Sequence, residues 1–184
     1  MDILKNRNIF TFFILLSVQI AFSQKFYTRT GITEFKASVD AFEPVEAINN
    51  STSAIFSNDG KIAAQLFISA FSFKVALMQE HFNENYMESD KYPKAIFKGT
   101  ISNFNINQLS EKEYIIDGEL TIKGISKKIR VPVSFSKSDK DTIILKGNFA
   151  VSPKDFNIEI PSIVRKKIAN KVHITLHYEF TEKK

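Results

Sequence analysis

The histidines are the residues of this chain best suited to metal or acid–base chemistry, and their spacing decides what each could do. His173 and His177 stand four residues apart. On a helix that spacing would set both rings on one face. Here Val172, Ile174, Leu176, Tyr178 and Phe180 alternate with polar residues and predict a strand, in which backbones four residues apart are separated by roughly 13 Å. One ion cannot bridge that distance, and both rings fall on the polar, outer side. His81 lies in an apolar stretch with no carboxylate pattern beside it to complete a metal site. Two readings of it are open: a partly buried histidine bonded to a neighbouring strand, or a group that meets a ligand's polar end at a pocket mouth. A serine nucleophile would want a histidine, an acid and a G-x-S-x-G turn. Gly124-Ile125-Ser126 lacks the closing glycine and reads as an ordinary turn. There is no phosphate-cradling G-x-G-x-x-G and no cysteine. The expectation is no catalytic residue, no metal site and no cofactor.

The side chains that could make a site are apolar. Phe67, Phe71, Phe73, Met78, Phe82, Met87 and Phe97 cluster within about thirty residues, and aromatic faces with flexible Met suit a long, oily ligand of no fixed shape. Each could equally be plain core; the case rests on their collective excess. His81, Tyr86 and Asp155, with Asn83 and Asn85, are the candidate contacts for a polar head.

These residues must be held by a short helix set among strands. Leu77, Met78, His81, Phe82, Tyr86 and Met87 recur at steps of about three to four, predicting a helix of roughly three turns. Asp90 and Pro93 stop it, and Ala95 to Ile101 resumes as a strand. Further on, Tyr114, Ile116, Gly118, Leu120 and Ile122 share one face, as do Ile129, Val131, Val133 and Phe135. Lys123-Gly124-Ile125-Ser126 supplies a hairpin turn between them. Ile143, Leu145, Gly147, Phe149 and Val151 form another inward row. Lys61 to Val75 is apolar on both faces and predicts a strand covered on both sides, by the helix and by the interior. Weaker strands are Lys25–Thr30, Thr33–Phe42 and Thr52–Asn58. Eight or nine short strands with one helix predict an antiparallel barrel or sandwich, and an eight-stranded barrel has room for side chains or one small ligand.

Three segments together resemble the YceI-like family of exported lipid-binding proteins. They are the stretch from Lys74 to Gly99 with its His81, Phe82 and Tyr92-Pro93, the hairpin Gly118-Glu119-Leu120-Thr121-Ile122-Lys123-Gly124, and the Asp155-Phe156 pair before the last strand. The resemblance spans about residues 60–180. Lys154 stands where the family has Arg, and Asn157 where it has Gly. The resemblance implies a mainly β fold, an extended antiparallel eight-stranded lipocalin-like barrel with one short helix closing one side of its pocket. It also implies a hydrophobic or amphiphilic ligand, an isoprenoid-type lipid, bound without catalysis by a protein exported to the periplasm of a Gram-negative bacterium or secreted from it.

Composition bounds the rest. Lys5 and Arg7 precede an apolar run from Ile9 to Phe22, and Ala21-Phe22-Ser23 fits a signal-peptidase site. Residues 1–23 are expected to be a signal peptide, since about 14 apolar residues are too few to span a bilayer that needs about 20. Residues 24–184 are then one domain, without disulfides, and rich in Phe: the chain has eighteen and no Trp. From Gln24 to Ile122 there are 9 basic and 13 acidic residues, and from Lys123 to Lys184 there are 14 and 6. The basic half reads either as solvated strand faces that protect sheet edges or as attraction to anionic head groups, a transient membrane-surface contact. No nucleic-acid motif is present. Two rival functions stay open: an interaction module whose barrel is filled by its own side chains, and an enzyme acting on a lipid through His81, Tyr114 or the Asp155 turn.

Overall fold

The computed structural model describes residues 24–38, 44–109, 112–138 and 142–183; the expected signal peptide lies outside them. Nine strands form one antiparallel sheet: β1 (Lys25–Ser38), β2 (Glu46–Ser57), β3 (Lys61–Phe67), β4 (Ser72–Phe73), β5 (Lys94–Ile101), β6 (Glu113–Ile122), β7 (Ile125–Lys137), β8 (Ile143–Val151) and β9 (Ile168–Glu182). Apart from the two-residue β4, which extends the edge of β2, the strands pair in chain order, and β1 pairs with both β2 and β9. The sheet is therefore a closed eight-stranded up-and-down barrel, and closure leaves no long edge to protect. The fold expected from the sequence is the fold observed.

Local chemistry sets the turns. Lys123 and Gly124 both take positive φ, 49° and 75°, the conformation of a two-residue hairpin whose twist matches its strands. Strict alternation then sends Ile116, Leu120, Val131, Val133, Phe135, Leu145, Tyr178 and Phe180 inward, all buried.

The apolar run Lys61–Val75 is not one strand covered on both faces. A 3-10 turn at Ile68–Ala70 interrupts it and shifts its parity, so that Phe71 and Phe73 point to the same interior as Ile62 and Leu66. Phe67, one residue before the turn, is left outside and half exposed. The helix that follows, α1 (Ala76–His81), continues into a π-helical turn over Phe82–Tyr86. In that turn the Met87 amide donates to the Phe82 carbonyl at 2.9 Å. This wider spacing brings residues five apart onto one side, and both Phe82 and Met87 face inward. Leu77, expected on the inner face, points out and is 57% exposed.

Aromatic packing closes one end of the barrel. Phe26 stacks on Phe56 (ring centroids 4.9 Å apart), Phe56 meets Phe180 edge-on at 4.8 Å, and Phe104 and Tyr114 lean on Phe135 at 5.2 and 5.5 Å. A second cluster of Leu66, Ile68, Phe71 and Met87, with Phe35, Phe73 and Phe82 against it, sits at the other end beneath α1.

Candidate functional site

Between the aromatic plug and the α1 cluster lies a cavity of about 450 Å³, within the range of roughly 300–1,000 Å³ typical of small-molecule sites. Its walls are the inward rows of the barrel: Leu120 and Ile122 from β6, Val131 from β7, Leu145 and Phe149 from β8, and Ile174 and Leu176 from β9. Room is made on β5 and β6 by glycine. A Cβ on Gly118 would lie 2.5 Å from the Phe97 ring, so the bare backbone there seats an aromatic lining residue.

The floor is polar and was not read from the sequence. Thr33 Oγ1 lies 2.8 Å from Thr52 Oγ1 and 2.9 Å from Tyr178 Oη, and all three residues are buried and face the cavity. Gly31 permits this: a Cβ there would stand 2.6 Å from the Tyr178 ring. Burial pushes the Tyr178 hydroxyl up to about 12, although the hydrogen bonds from the two threonines pull the other way. It is held as a neutral hydroxyl, a donor and acceptor of hydrogen bonds. A tyrosine in an inward row whose other members, Val172, Ile174, Leu176 and Phe180, carry no polar atom was the available signal, since a buried Tyr hydroxyl needs a partner.

The roof has two sides. One is α1 and the strand before it, with Phe71, Phe73, Met78, His81, Phe82, Tyr86 and Met87 on the cavity. Phe35, Phe71, Phe73 and Phe82 pack there with ring centroids 5.0 to 5.7 Å apart. Lys123 latches this side to the β6–β7 hairpin: its Nζ donates to the Tyr86 carbonyl at 3.1 Å and pairs with Glu88 at 2.5 Å. The hydrogen bond from Lys123 holds the Glu88 carboxyl below its usual range. The other side is the segment between β8 and β9, from which Phe156, Ile158, Ile160, Val164 and Lys167 reach the cavity. Asn157 sits at φ 52°, a left-handed conformation that Asn tolerates better than most residues after Gly.

Of the residues nominated from the sequence, Phe71, Phe73, Met78, His81, Phe82, Tyr86, Met87 and Phe97 are brought together on this cavity. Phe67 and Asp155 are not. Phe67 lies outside the barrel with Lys94 Nζ 5.0 Å above its ring. Asp155 points to solvent, while its neighbour Phe156, 1% exposed, turns in. Nor is Tyr114 a polar intrusion into the lumen, being part of the aromatic plug. His173 and His177 are on the outer face of β9, and among the described residues no three His, Asp or Glu side chains converge on a point.

A closed meander barrel with an apolar lumen, a hydroxyl floor and a helix across its mouth defines a barrel built around an internal cavity. A family model described as the YceI-like domain matches residues 17–180, and the chain belongs to that family. Solved structures share the fold. BcnA of Burkholderia cenocepacia is 19% identical, with a TM-score of 0.68 over 82% of this chain and 96% of that one. A polyisoprenoid binding domain from Saccharophagus degradans, implicated in plant cell wall breakdown, is 11% identical, with a TM-score of 0.73 over 88% and 99%. The YCEI protein of Campylobacter jejuni is 17% identical, with a TM-score of 0.62 over 78% and 87%. No curated protein matches the chain.

Proposed function

We propose that this protein binds an amphiphilic lipid of isoprenoid type in the barrel lumen, without chemistry, and holds or carries it in the periplasm after export. The observation that carries the reading is the cavity of about 450 Å³, walled by aliphatic and aromatic side chains between two packed ends. A barrel filled by its own side chains would leave no such space. The polyisoprenoid binding named for the Saccharophagus degradans domain fits the same lumen. An apolar chain needs few directed contacts there, because each methylene withdrawn from water contributes about 0.8 kcal/mol. The absence of chemistry is supported by the floor, where the deepest polar groups are hydroxyls bonded to one another and Tyr178 keeps its proton.

The test is titration of protein stripped of lipid with a series of prenyl alcohols of increasing length. Affinity should climb with each added carbon until the lumen is full and then level off. Affinity indifferent to tail length, or an unchanged response when Ala64 on the cavity wall is replaced by Phe, contradicts lumen binding.

A further inference from the structure

We propose that the end of the barrel roofed by α1 docks on a bilayer containing anionic lipid, through the turn at Ile163 and the cations that follow it. The inference rests on the lipid reading of the lumen for its purpose, though not for its geometry. Among the described residues the large apolar side chains left exposed are Tyr27, Phe67, Val75, Leu77 and Ile163. Only Tyr27 is at the plugged end. Phe67 ends β3, Val75 and Leu77 flank the start of α1, and Ile163 lies between β8 and β9, all at the end that α1 and the β8–β9 segment roof. Ile163 is 87% exposed, although its neighbour Val164 lines the cavity. Isolated exposed apolar residues are ordinary; their gathering around one mouth is not.

The charge around Ile163 selects the partner. The run Pro161-Ser162-Ile163-Val164-Arg165-Lys166-Lys167-Ile168 is followed by Lys171, and no acidic residue occurs from Ile160 to Tyr178. Among the described residues, Arg165, Lys166, Lys167 and Lys171 have no carboxylate partner. Protection of a strand edge does not account for Arg165, Lys166 and Lys167, which lie in turns before β9 and not on a strand. An apolar tip followed by unpaired cations matches a surface with an oily interior and a negative skin. The α1 side of the rim carries Glu80 and Glu84, and the start of the β8–β9 segment carries Asp155 and Glu159, so contact is centred on the cationic stretch from Ile163 to Lys171. With the mouth against the bilayer, a lipid tail can pass between membrane and lumen without crossing water.

The experiment uses protein recovered after expression of the full chain, with its N-terminus read by intact mass. It is offered vesicles of phosphatidylcholine alone or with one-third phosphatidylglycerol. The expected result is binding to the anionic vesicles that weakens with salt and is slight on phosphatidylcholine. Joint replacement Arg165→Gln, Lys166→Gln and Lys171→Gln should weaken it about fivefold per cation, on the order of a hundredfold together. Ile163→Ser should weaken it about tenfold or more. The same charge change at the plugged end, Lys25→Gln, Lys112→Gln and Lys183→Gln, should cost far less. Equal binding to both vesicles, equal loss from the two triple variants, or a mouth buried between two copies of the chain in solution overturns the proposal. Lipid bound in the lumen is measured separately by native mass: docking lost with the lumen loaded defeats this inference alone, and docking kept with an empty lumen defeats only the lipid reading.

Discussion

Replacing Tyr178 by Phe removes one hydroxyl from the floor of the lumen, and its effect should depend on pH in a way that reports whether that floor is dry. At neutral pH the variant loses the 2.9 Å bond to Thr33, whose hydroxyl keeps Thr52 at 2.8 Å. The cost should be about 1 kcal/mol. In alkali the balance reverses. The folded state holds the Tyr178 proton up to about 12, against the ordinary tyrosine value of 10.0, so above about pH 10 the unfolded chain releases a proton that the folded chain keeps. Wild-type stability is therefore undiminished by this group below about pH 10 and falls as pH rises toward 12, by roughly 2 kcal/mol. Tyr178→Phe has no such loss. Urea unfolding of both proteins at several pH values gives the difference directly, because titrations common to both cancel. The variant should be the less stable at pH 8, equal near about pH 11, and the more stable beyond it. A difference that stays constant from pH 8 to 12 would show a hydrated hydroxyl, and would refute a floor that excludes water.

Other substitutions separate lining from packing. Gly118→Ala sets a methyl against the Phe97 ring; it should cost about 1–3 kcal/mol in thermal unfolding and, by driving the ring into the lumen, lower lipid affinity. Phe71→Ala, at a residue 6% exposed, should cost about 3–5 kcal/mol. Phe67→Ser, four residues away on the outside, should change stability by less than about 0.5 kcal/mol and leave lipid loading unchanged by native mass. Asn49→Ala removes a wholly buried amide that donates to the Phe67 carbonyl and accepts from the Ser51 amide and hydroxyl; urea unfolding should show a loss of about 1–3 kcal/mol.

The half of the barrel legible in the sequence is the half whose inward rows are almost entirely apolar. β6 to β9 alternate over most of their length, with few breaks such as Lys127 opposite the inward Leu120, and period two is then legible. β1 and β2 were seen only as fragments because polar residues hold inward positions: Thr28, Thr33, Asn49 and Thr52 are buried, and Thr33, Asn49 and Thr52 are satisfied by hydrogen bonds to residues far away in sequence. A row that counts such residues as solvent-facing loses its alternation. Irregular pairing around Thr28, Gly31 and Thr33 also splits what is one strand, Lys25–Ser38. The parity shift at Ile68–Ala70 explains the misplacing of Phe67, since no Pro or Gly marks the break. The hydroxyl floor joins three strands that only closure of the barrel brings together, and no local pattern announces a contact between Thr33 and Tyr178. By contrast the α1 side of the roof is local, and periodicity found most of it.

Native mass spectrometry of the protein purified without detergent after expression of the full chain, followed by solvent extraction of whatever it carries, tests the central claim most directly. The account predicts a discrete added mass that extracts as an isoprenoid-type lipid and disappears on Phe71→Asp. A bare polypeptide mass that persists when such lipids are supplied would contradict it, and would leave the lumen of about 450 Å³ without the occupant proposed for it.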